Sequence, residues 1–166
     1  MLTVASMFAT SSLFAQNKTL ERYFDRYQED QRFTTVSVSS RMFGLFADFD
    51  MDDPEEAELV EAISKLKGLK MLIGEQVDNA TALFEEAQKE NESSMEELMS
   101  VRDGGNEFVF YVKETGGTIS ELMMIGHEQS QFMMMSLTGE IDLAMLSRLS
   151  QKMDIEGFEH LKNVGH

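Results

Sequence analysis

The chain has 166 residues, 30 acidic against 14 basic for a formal net charge of −16, with 14 methionines, one proline and neither cysteine nor tryptophan. An apolar share of 42% suffices to bury a core, which excludes a disordered acidic tail. The charge argues against nucleic acid and anionic membrane surfaces as partners, since both are held through Lys and Arg. The missing thiols exclude disulfides, thiolate metal sites, cysteine nucleophiles and iron–sulfur clusters.

Residues 1–14 carry no charge and are rich in Leu, Val, Met, Phe and Ala. Leu13-Phe14-Ala15-Gln16 follows the pattern of a signal-peptidase site, so cleavage after Ala15 is expected, although Met1-Leu2 lacks the usual basic start, as if clipped. The run is shorter than a membrane span of about 20 apolar residues, and Thr10, Ser11 and Ser12 break it. No cysteine is present to carry a lipid anchor. The expected organisation is a signal peptide over residues 1–15 and one domain over 16–166, exported and soluble in the periplasm or beyond.

Leu20, Tyr23, Phe24 and Tyr27 recur at helical spacing and predict a helix over residues 18–29. Residues 32–38 alternate as a half-buried strand does. Ser39 or Ser40 then caps a helix with a stripe of Met42, Leu45, Phe46 and Phe49. After the acidic run 48–56, Asp53 as cap and Pro54 at the first helical position open a helix carrying Leu59, Val60, Ile63 and Leu66, closed near Lys65, Lys67 and Gly68. A short strand over 69–73 follows, then a helix capped by Asp78 that buries Leu83, Phe84 and Ala87.

From Glu97 the period returns to two. Strands are expected at 98–102, 107–113, 118–125 and 131–138, joined by turns at 103–106, at Gly116-Gly117 and at 126–129, where Gly, Asn and Asp accept positive φ. A last helix opens at Asp142 with Met145, Leu146, Leu149 and Met153 inward, and Phe158 and Leu161 cover an edge. The pattern predicts an α+β fold: a mainly antiparallel sheet of about five to six strands, helices packed on one face, and a C-terminal β-meander followed by a helix.

Little in this pattern carries chemistry. Asp48, Asp50 and Asp52 take the first three ligand spacings of a calcium loop, but Asp53 stands where the loop needs glycine and Leu59 where it needs a bidentate glutamate. The helix-capping account of Asp53 and Pro54 covers the run, so no metal or other cofactor is expected. His127 falls in a predicted hairpin turn and reads as an exposed turn histidine. There is no nucleophile elbow, Walker loop or dinucleotide fingerprint, and no enzyme is expected. Methionine is the compositional anomaly, with Met123-Met124 and Met133-Met134-Met135 on adjacent strands. Neighbours along a strand point to opposite faces, which speaks against their converging on one soft metal ion such as Cu(I). They read as adaptable core filling, or as a partner surface formed by Met123, Met133 and Met135.

Tyr23-Phe24-Asp25-Arg26-Tyr27, Phe33-Thr34-Thr35-Val36-Ser37-Val38, Lys65-Leu66-Lys67-Gly68-Leu69, Glu97 to Gly105 and Met135 to Leu143 together resemble the bacterial family catalogued as domain of unknown function 4252. The resemblance implies an exported protein of the Gram-negative cell envelope and brings no catalytic residue. Family members often look like lipoproteins, a feature this cysteine-free chain lacks. The expected function is that of a non-enzymatic interaction or adaptor domain with a protein partner in the envelope. The alternatives are a small-molecule or metal-binding periplasmic protein and, more remotely, a hydrolase-like enzyme using His127. The sequence leaves the oligomeric state open.

Overall fold

The computed structural model describes residues 18–46, 52–91, 95–144 and 147. The expected signal peptide, Asp48, Asp50 and nearly all of the expected final helix lie outside them. Ten elements follow in order: α1 (Lys18–Tyr27), β1 (Phe33–Ser39), α2 (Ser40–Phe46), α3 (Pro54–Ser64), β2 (Leu66–Gly74), α4 (Ala80–Asn91), β3 (Glu96–Asp103), β4 (Asn106–Thr115), β5 (Thr118–Glu128) and β6 (Gln131–Ile141). All six strands join one sheet in the order β1-β2-β6-β5-β4-β3, and every neighbouring pair is antiparallel. The α+β class and the meander β3 to β6 stand as expected.

The α3 start is set locally. Asp53 sits in extended conformation and its side chain accepts the Glu55 N–H at 2.8 Å, with Pro54 at the first helical position, where no N–H is needed. The other end corrects the sequence-based expectation. Lys65 caps the helix in right-handed conformation, so no glycine is needed there, and Gly68 lies inside β2 opposite Ser39 and Thr138.

The helices divide between the two faces of the sheet. On one, Leu20 and Tyr23 of α1 and Ala80, Leu83, Phe84 and Ala87 of α4 pack on Leu72, Tyr111, Met123, Ile125, Phe132 and Met134. On the other, Phe43 of α2 and Ile63 of α3 join Phe110, Leu122, Met124, Met135 and Leu137. Residues 121–127 of β5 are accordingly all buried, on both sides. A strand covered on both faces carries consecutive apolar residues instead of an alternation, and Leu122-Met123-Met124-Ile125 and Phe132-Met133-Met134-Met135 are such runs.

Candidate functional site

β1 forms one edge of the sheet, and its own residues leave that edge open. The strand FTTVSVS has no charge and no proline, and it keeps unbroken register with β2, from Phe33 opposite Gly74 to Ser39 opposite Gly68. The opposite edge is guarded. β3 carries Glu96, Glu97, Arg102 and Asp103, and its register shifts between Glu97 and Met99. Charges and bulges are how sheets block unwanted strand addition, and β1 has neither.

Its backbone phase follows from one bond. The peptide oxygen of Arg32 accepts from the Glu75 N–H at 2.9 Å, which fixes the alternation of the antiparallel pair. Thr34, Val36 and Val38 exchange bonds with β2, whereas Phe33, Thr35, Ser37 and Ser39 turn their N–H and C=O groups away from it. The Phe33 N–H is taken by the Asp30 oxygen at 2.9 Å. Among the described residues, no backbone oxygen takes the outward N–H of Thr35 or Ser37.

α2 follows β1 without a loop and presents Met42 and Leu45 to solvent, 49% and 55% exposed. Charge is sparse here. In a chain with 30 acids, residues 31–47 hold none, only Arg32 and Arg41. Arg32 is neutralised by Asp30, whose carboxylate accepts from Nε at 3.1 Å and from Nη2 at 2.7 Å. Those hydrogen bonds hold the Asp30 carboxyl down at about 2.

Two clefts are present among the described residues, the first of them beginning at β1 itself. One of about 260 Å³ is lined by Ser37, Ser39, Ser40, Lys70, Ser136 and Thr138 among others. Ser136 donates from Oγ to Oε1 of Glu121 at 2.7 Å, both residues buried, and Lys70 pairs with Glu21. The other cleft, about 580 Å³, is lined by Glu58, Glu61, Glu140 and Asp142 with Lys65.

The residues singled out in the sequence scatter. Asp48 and Asp50 lie outside the described residues, and Asp52 is exposed just before the α3 cap. Among the described residues no three His, Cys, Asp or Glu side chains are placed to hold a metal ion. Met123 is fully buried under α1 and α4, Met135 is 3% exposed on the opposite face, and Met133 is half-buried on the same face as Met135. The three therefore do not form one surface. Met135 instead lies between Met71 and Met124 in a row across β2, β6 and β5.

His127 is not in a turn. It lies in β5, 6% exposed, with its ring centroid 4.9 Å from that of Phe84 and, among the described residues, no hydrogen-bond partner for its Nδ1. The turn falls at residues 129–130, with Gln129 taking the positive φ of 51°. The feature that sequence reasoning missed is the β1 edge. Its uncharged alternation was visible, but its place at the rim depends on which strands pair.

The family profile described as Domain of unknown function (DUF4252) matches residues 27–149. No curated protein matches the chain. Among solved structures, the solution structure of cyanobacterial PsbP (CyanoP) from Synechocystis sp. PCC 6803 is similar at 12% identity, with a TM-score of 0.32 over 81% of this chain and 81% of that one.

Proposed function

The chain belongs to the DUF4252 family, and we propose that it serves there as an exported, non-enzymatic interaction domain of the cell envelope, docking an extended protein segment along β1. The observation that carries this is the contrast between the two sheet edges: seven uncharged residues in unbroken register on β1, four charges and a bulge on β3. Strand addition supplies affinity through main-chain hydrogen bonds, and an edge whose outward Thr35 and Ser37 groups are uncovered is suited to it. The uncharged start of the chain and the Leu13 to Gln16 pattern support export. The absence of a catalytic motif supports the non-enzymatic part.

Capture from native envelope extract at physiological salt, with the tagged chain and its Ser37→Pro variant, tests this reading. Proline at 37 removes an outward N–H while leaving every bond to β2 in place, and edge strands accept proline. At least one protein should be retained by the parent and lost by the variant. Identical retention by both would remove β1 from the role and overturn the reading.

A small-molecule-binding role is the second reading. The hydroxyl-lined cleft of about 260 Å³ beside Lys70 favours it. It expects a saturable rise in melting temperature with some small polar ligand, abolished when Ser136 and Thr138 are enlarged to Leu.

A further inference from the structure

We propose that the occupant of the β1 edge is the β1 of a second copy of this chain, paired antiparallel about a two-fold axis through Val36. The inference rests on the interaction reading and names its partner. Four observations lead to it.

The outward peptide groups of Thr35 and Ser37 need a strand of matching phase, and β1 supplies it. With Val36 opposite Val36 of the second copy, Thr35 meets Ser37 and Phe33 meets Ser39. Thr35 and Ser37 of one strand then fall opposite Ser37 and Thr35 of the other, as exchanged hydrogen bonds require, while the Phe33 N–H stays on the Asp30 oxygen.

The side chains match as well. Valine meets valine and threonine meets valine on one face, and on the other the Thr35 and Ser37 hydroxyls meet, with Phe33 opposite Ser39 at the ends. No charge is brought opposite a like charge within the strand.

Charge then selects this surface over the others. Two copies at −16 each repel, and contact is least opposed where acids are absent, which is residues 31–47.

Finally, Met42 and Leu45 are exposed on α2, which starts where β1 stops, so the pairing carries each exposed pair toward the far end of the partner's β1. A closed two-fold arrangement uses the same patch twice and ends there. Two edge strands with a small apolar flank bury little area, so a reversible dimer in the micromolar range is expected.

Sedimentation of the purified chain over a concentration series tests the proposal, together with single-cysteine variants, which carry unique thiols because the chain has none. In this register residue 36 faces itself as a non-hydrogen-bonded pair with Cα atoms about 4.5 Å apart, within disulfide reach. Val36→Cys should therefore oxidise to a dimer. Thr34→Cys, displaced from its own copy by about four residues of strand, should not. Ser37→Pro and Val36→Lys, which sets like charges opposite each other, should each weaken the dimer about tenfold or more. A monomer at every concentration overturns the self-pairing. So does a dimer that both variants leave intact or that Val36→Cys fails to cross-link. In either event the capture experiment with Ser37→Pro still decides the interaction reading separately.

Discussion

The ring of Phe108 lies across Gly126 of the neighbouring strand, so close that a Cβ at residue 126 would stand 2.3 Å from its Cδ1. Phe33 covers Gly74 in the same way, with a Cβ there 2.5 Å from Cε1. In both places a glycine gives up its side-chain space so that an aromatic ring can fold over the sheet. Gly126→Ala should cost about 1–3 kcal/mol through overpacking. Combining it with Phe108→Leu should cost less than the sum of the two single changes. Urea denaturation of the four chains measures this, and strict additivity would mean that ring and glycine are not coupled.

Ser136 and Glu121 form the buried polar pair of the first face. Ser136→Ala removes a 2.7 Å hydrogen bond to a carboxylate that is 3% exposed, and should destabilise by about 1–3 kcal/mol. A stability loss below about 0.5 kcal/mol in urea denaturation would show that the carboxylate does not depend on this hydroxyl.

Tyr23 gives the alkaline side of stability a definite sign. Burial, and then the carboxylates of Glu86 and Glu90, push its hydroxyl well above the ordinary tyrosine range. The neutral form belongs to the fold, so the contribution is complete below the unfolded value of about 10. It is lost as pH rises above that, because only the unfolded chain ionises. Tyr23→Phe should flatten the loss of stability above about pH 10. At neutral pH it should gain up to about 1 kcal/mol, by removing a buried hydroxyl that has no hydrogen-bond partner among the described residues. An unchanged alkaline slope would assign the loss to other groups.

The acidic run before α3 separates into one capping residue and its neighbours. Asp53→Ala should cost about 1 kcal/mol, the usual worth of a helix cap. Asp52→Ala should stay within about 0.5 kcal/mol, as exposed substitutions do. Equal losses at both positions, read from thermal midpoints, would mean that the aspartates act as a group.

What the sequence made legible was whatever local chemistry decides. Asp53 and Pro54 cap a helix whatever lies around them. Gly104-Gly105 and Gly116-Gly117 mark their hairpins because each has the positive φ that the turn needs. The β5–β6 turn has no such marker. Gln129 takes its left-handed position, while Gly126, three residues earlier, is a strand glycine kept small for Phe108, so His127 read as a turn residue and is in fact buried. The split of the helices was present in the runs 122–125 and 132–135, which are too continuously apolar for a sheet wet on one side. The β1 edge was legible as a strand but not as a rim. That position is fixed by the pairing of Leu66–Gly74 with residues 132–139, far along the chain.

β6, the last strand of the sheet along the chain, is inserted between β2 and β5 at its centre. During vectorial synthesis β1 and β2 emerge first and pair only with each other, and an isolated two-stranded ribbon is marginal in water. The opening third of the domain therefore waits, incomplete, for its closing strand to arrive. A chain cut short before residue 131 keeps the β1–β2 ribbon and the three strands β3 to β5 without any strand hydrogen-bonded between them, held together through helix packing such as that of α1 and α4.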